Sequence, residues 1–165
     1  VLNKINESLN KWISRTSVVM LIILCLLGIL QIFFRYVLSN SLTWSEEVSR
    51  YLFVWITFLG AAMVTKERMH VRLDILTSKL RNETKRYFDL FLNLIIAFFL
   101  IALSLQGVAV MMRASTNELK SPALQIPLEL VYSIIFIGAL LMLINHLYVM
   151  YQDFKSKTIQ VDKEE

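Results

Sequence analysis

Three charge-free runs, residues 16–34, 90–112 and 130–152, set what this chain can become. They are 19, 23 and 23 residues long, and about 20 apolar residues in a helix cross a hydrocarbon core of roughly 30 Å. A fourth run, residues 51–65, holds only 15. For it to cross, Glu46, Glu47 and Arg50, in the preceding "TWSEEVSR", must enter the membrane edge with it. Hydrophobic residues make up 56% of the chain, above the roughly 45–50% of soluble domains, and four Gly and two Pro leave little room for long loops.

The basic residues decide whether the short run crosses. Lys4, Lys11 and Arg15 precede the first run, seven Lys and Arg lie between Lys66 and Arg86, and Lys155, Lys157 and Lys163 follow the last. Four crossings put these thirteen of the seventeen Lys and Arg on one face, leaving Arg35, Arg50, Arg113 and Lys120 toward the other. Three crossings would strand one basic group outside. The positive-inside rule therefore predicts four spans with both termini cytoplasmic. The expected fold is an all-α integral membrane protein forming one membrane domain, residues 1–165, with spans at about 16–36, 44–65, 88–112 and 128–151. A charged tail, 153–165, follows. The first run is too long for a secretory signal core of 7–15 residues and is read as a retained helix.

Glu46, Glu47, Arg50 and Arg35 then fall at the outer interface. Thr43 with Glu46 fits a capping box, carboxylates in a first helical turn meet the positive end of the helix dipole, and Arg50 can reach either acid three or four residues back. A neutral cluster of these four is expected, used for helix packing or for holding a partner helix. No acid falls at mid-depth in any run, where ion-coupled carriers usually need one.

Two stripes at helical spacing suggest helices lying in the interface. One, at about 2–14, carries Leu2, Ile5, Leu9, Trp12 and Thr16; the other, at about 67–80, carries Met69, Leu73, Leu76 and Leu80. Apolar stripes flanked by basic residues suit a membrane surface or a partner protein, and Arg68, Arg72 and Lys79 are candidates for anionic phospholipid headgroups. Gln31, Asn93, Ser104, Gln106 and Asn145 suit interhelical hydrogen bonds, and the small residues at Gly60–Ala62 and Gly138–Ala139 permit close helix approach. His146 reads as a structural hydrogen-bonding residue.

Several chemistries are excluded. One cysteine, Cys25, cannot form an intramolecular disulfide or a multi-Cys metal site. His70 and Asp74 alone do not make a coordination sphere, and two His, one in a loop, do not ligate a haem between spans. No phosphate loop, HExxH or dinucleotide fingerprint occurs, so no enzyme activity and no cofactor are expected. The net charge of +4 reflects membrane orientation; no basic surface interleaved with aromatics points to nucleic acid.

The stretch "FRYVLSNSLTWSEEVSRYLFVWITFLGAAMVTKERMHVRLDIL" resembles the small membrane subunit, the DctQ-like or Q-type component, of tripartite ATP-independent periplasmic (TRAP) transporters. The resemblance rests on Arg35 closing the first span, Trp44 to Glu47, Arg50, Gly60 to Ala62, and a basic loop holding His70 and Asp74. "SPALQIPLELVYSIIFIG" resembles the family's lead into its fourth span. It implies a non-catalytic scaffold, in its unfused form, bound to a large multi-span membrane subunit in the bacterial inner membrane. That large subunit imports a carboxylate, of the C4-dicarboxylate or sialic acid type, with a sodium gradient, and a periplasmic substrate-binding protein delivers the substrate. Arg35, Trp44, Glu46, Glu47, Arg50, His70 and Asp74 become structural or partner-interface candidates, with no substrate site on this chain. The competing readings are an independent four-helix homodimeric exporter, disfavoured because Gln31 is the nearest polar residue to its first span's centre, and a membrane redox enzyme.

Overall fold

The computed structural model describes residues 2–40, 42–77 and 82–161, with side chains described for 6–40, 42–65 and 87–152. Four long helices make it up: α1 Leu2–Tyr36, α2 Thr43–Thr77, α3 Asn82–Thr116 and α4 Leu128–Val161. Each has 34 or 35 residues, or about 50 Å at 1.5 Å per residue, so each outruns the hydrocarbon core. The membrane-capable stretches are Asn6–Tyr36, Thr43–Thr65, Tyr87–Thr116 and Leu128–Gln152. The short run therefore does belong to a span-length helix. Residues 2–14 and 67–77 run on as outer turns of α1 and α2; no Pro or Gly lies at either junction to break the helix.

The helices form an open row rather than a closed bundle. In the order α1, α2, α4, α3, each packs on the next, so α1 and α3 are the two edges. Ile13, Leu59 and Ile134, from α1, α2 and α4, are buried together, with Val54, Phe58 and Ile135 packed around them. The α1 residues that turn inward (Ile13, Ser17, Met20, Leu24, Leu27, Gln31 and Phe34) recur at three- and four-residue spacing, while Val18, Ile22, Leu26 and Ile29 are exposed. Large apolar side chains outside are what a lipid solvent requires.

Two glycines allow the closest approaches. A Cβ on Gly107 of α3 would lie 2.7 Å from the backbone nitrogen of Phe136 in α4, and one on Gly138 of α4 would lie 2.7 Å from the Cβ of Phe58 in α2. Gly60, expected at a close contact, faces open space. Its neighbour Ala62 is the fully buried small residue of that motif. Gly107→Ala is expected to destabilise by about 1–3 kcal/mol, because a backbone atom cannot yield to the new methyl. Gly60→Ala, with nothing to strike, should match or slightly exceed wild-type stability. Thermal melting of the two variants side by side checks the contrast.

Candidate functional site

At the end of the row opposite the termini, α3 closes in a left-handed turn at Glu118 (φ 47°). Leu119 N–H donates to Ala114 at 3.0 Å and Glu118 N–H to Ser115 at 3.0 Å, the paired bonds of a Schellman cap. The chain then doubles back as a small hairpin. Lys120 pairs with Pro127, Ser121 N–H reaches Ile126 at 2.9 Å, and Leu128 N–H reaches Leu119 at 2.9 Å. Its tip leaves the amides of Ala123 and Leu124 pointing away from any carbonyl of the hairpin, toward α2.

Glu47 meets them. Its side chain is 9% exposed, and Oε2 accepts the N–H of Ala123 at 2.8 Å and of Leu124 at 3.2 Å. Oε1 accepts the hydroxyl of Tyr51, one turn along α2. The carboxylate thus satisfies two part-buried amides of the hairpin tip, with bonds that are stronger for its charge. Arg50 lies three residues away on the helix and is exposed, as are Glu46 and Arg35. The expected four-residue neutral cluster is therefore corrected for Glu47, whose partners are the hairpin and Tyr51. Geometry is the reason: position 47 faces α4 and its loop, while 46 and 50 face outward. The capping box is corrected too. Thr43 is already the first helical residue, and the turn is closed by Ser45, whose amide and hydroxyl both donate to Leu42, at 3.1 and 2.8 Å. Trp44 is partly exposed at the same rim.

A second polar centre joins the other end. Asn145 of α4 is fully buried. Its Nδ2 donates to the Ala62 carbonyl of α2 at 2.7 Å and to Asn10 Oδ1 at 3.2 Å. Its Oδ1 accepts from Asn6 at 3.2 Å and Asn10 at 3.1 Å. Three helices are tied at one level, and residues 6, 62 and 145 share one end, so both chain ends lie on one side of the row. Beside it, fully buried His146 faces the Asn93 carbonyl of α3 at 3.0 Å; opposite a carbonyl, Nε2 must carry the proton. Asn145 and His146 were legible as interhelical polar residues. Asn6, Asn10 and Tyr51 were not picked out, though Asn6 and Asn10 stand one helical turn apart on a single face, and so do Glu47 and Tyr51.

The backbone at Arg68, His70, Arg72 and Asp74 is helical within α2, but their side chains lie outside the described residues, as does Lys79 altogether. Among the described residues, no group of three His, Cys, Asp or Glu is placed to hold a metal.

Residues 9–156 match the family model described as tripartite ATP-independent periplasmic transporters, DctQ component. The chain belongs to the DctQ family. Two TRAP transporter small permease proteins of Haemophilus influenzae are similar to this DctQ-type chain. One is 35% identical over 72 residues, 44% of this chain and 45% of that protein; the other is 24% identical over 155 residues, 94% and 93%. The sialic acid TRAP transporter permease protein SiaT of H. influenzae is 29% identical over 92 residues, 54% of this chain but 14% of SiaT. The chain thus spans less than half of the first of these relatives and a small part of SiaT. With its four membrane-capable helices, it is a multi-pass membrane protein, a TRAP small permease subunit of the DctQ type.

Proposed function

We propose that this chain is a non-catalytic frame for the large membrane subunit of a sodium-driven, binding-protein-dependent importer. The substrate class is a carboxylate, as the name of the sialic acid relative suggests. The site is the bacterial inner membrane, with both termini cytoplasmic by the distribution of Lys and Arg.

The observation that carries this reading is where the buried polar groups point. Glu47, Asn6, Asn10, Asn145 and His146 direct their hydrogen bonds into the chain's own helices and hairpin. They lock four helices into a rigid layer, which suits a fixed support for a moving neighbour. A carrier's charged or polar groups would instead converge on a midplane cavity. The open row supports the same reading, since each edge helix has one principal neighbour and leaves a broad apolar flank for another membrane chain.

Reconstitution tests it. Proteoliposomes holding the large subunit, with its loaded binding protein outside and an inward sodium gradient, should accumulate substrate only when this chain is present. Vesicles with this chain alone should accumulate none. Full uptake by the large subunit alone refutes the supporting role; uptake by this chain alone revives the independent carrier.

A further inference from the structure

We propose that the edge helix α3 docks against a transmembrane helix of the large membrane subunit along the seam Phe99, Ala102, Gln106, Ala109 and Arg113, and that this helix carries a hydrogen-bonding side chain opposite Gln106. The inference rests on the reading of the chain as a TRAP small subunit and adds the surface it uses.

Gln106 is the starting point. It is exposed on α3, and none of the hydrogen bonds among the described residues involves its amide. It lies ten residues inside the end of the membrane-capable stretch Tyr87–Thr116, about 15 Å along the helix, and about 10 Å deeper than Arg113. A glutamine side chain does not span that distance to reach headgroup water. Lipid tails offer an amide no partner, so the group must meet a polar side chain of another helix.

The outward faces of the other helices differ. Val18, Ile22, Leu26 and Ile29 present only hydrocarbon on α1. Exposed Thr57 on α2 returns its hydroxyl to Phe53 at 2.8 Å, and Ser133 on α4 returns its own to Leu130 at 2.7 Å. Apart from the weak S–H donor of exposed Cys25 on α1, those faces meet lipid without leaving a donor unpaired. Among the described residues, Gln31 of α1 and Asn93 of α3 also carry amides without a hydrogen bond, but both are half-buried within the row, whereas Gln106 is exposed on the outer flank of an edge helix.

The neighbours of Gln106 fit close packing. Ala102 and Ala109 stand four before and three after it, with Phe99 and Arg113 one heptad away on either side. Spacings of three and four form the seam of a left-handed helix pair. Small residues flanking a polar one let two membrane helices approach until the amide is bonded. The occupant is a different membrane chain because, in SiaT, the matching segment is 14% of a longer permease, so a unit of this kind sits within one polypeptide beside further membrane sequence.

The test uses the complex of this chain with its large subunit in native membranes. A photoreactive phenylalanine analogue is placed at Ala102 or Ala109, with Ile22 and Ile29 on α1 as controls. Adducts with the large subunit are expected from the α3 positions and not from α1. Gln106→Leu should lower recovery of the large subunit on this chain by about three- to tenfold. It should leave the chain's own thermal melting unchanged, because the amide makes no internal bond, and Gln106→Asn should fall between. Adducts from α1 alone, lipid adducts alone, or unchanged recovery with Gln106→Leu overturn the docking face but leave the subunit reading intact. Adducts between two copies of this chain overturn it in favour of a homodimer. If the unmodified chain does not co-purify with the large subunit, the subunit reading itself falls.

Discussion

Glu47→Ala is expected to release the α3–α4 hairpin, with amide exchange across residues 119–128 rising by more than about a hundredfold. The carboxylate accepts three hydrogen bonds, from Ala123, Leu124 and Tyr51. Bonds to a charged acceptor contribute about 1.5–3 kcal/mol each, and a part-buried donor left without a partner adds some desolvation cost. Since the three are not additive, a local loss of about 3–5 kcal/mol is the reasonable expectation, and about 3 kcal/mol already corresponds to that exchange rate. Glu47→Gln keeps an oxygen for the two hairpin amides and can turn its NH2 to the Tyr51 oxygen, so about 1–2 kcal/mol is expected. Tyr51→Phe, which removes one donor and strands nothing in the hairpin, should cost about 1 kcal/mol or less. Hydrogen–deuterium exchange in nanodiscs orders the three variants. If Glu47→Ala exchanges like wild type, the carboxylate does not hold the hairpin; equal rises for Glu47→Ala and Arg50→Ala would instead point to the ion pair with Arg50 that helical spacing suggests.

That error was open to the sequence reading for a physical reason. The real partners of Glu47 are 76 and 77 residues away, whereas Arg50 is three away, and helical spacing only reveals neighbours on the same helix. The four spans were legible because hydropathy and charge count act residue by residue, and the parity of basic loops rescued the short second run. Which way each helix faces was not. Spans that are apolar nearly all round carry no polar face to give their phase, so small residues could be seen without knowing which ones touch. Gly60 looked like a contact and faces open space, while Gly107, unremarked in sequence, lies against the backbone of Phe136. Thr43 fell one place too late for its cap, within the usual uncertainty of a helix end. Asn145 was recognised as a polar anchor, but its partners Asn6 and Asn10 lie more than 130 residues earlier, in turns that read as a surface stripe.

The asparagine cluster leads to the second large effect. Helix α1 is an edge with one principal neighbour, and most of its bulk faces outward. In lipid, apolar side chains gain little by leaving the hydrocarbon for another helix, so α1 is held by packing around Ile13 and by the bonds of Asn6 and Asn10 to Asn145. Asn145→Leu keeps the branching at Cγ with somewhat more bulk and removes the hub. Interhelical bonds in membranes average about 0.6 kcal/mol and reach about 1.7, and four contacts meet at this residue, so a loss of about 2–3 kcal/mol is expected. Asn6 and Asn10 can still bond each other, at 2.7 Å, which keeps the loss below the sum of the parts. Asn10→Ala made in both backgrounds separates the cluster from simple packing. A hub predicts that Asn10→Ala costs about 1 kcal/mol less once Asn145 is already Leu, whereas independent sites add to within about 0.5 kcal/mol. Additive losses in equilibrium unfolding would mean that α1 is held by the Ile13 contact alone, and that the three asparagines meet without coupling.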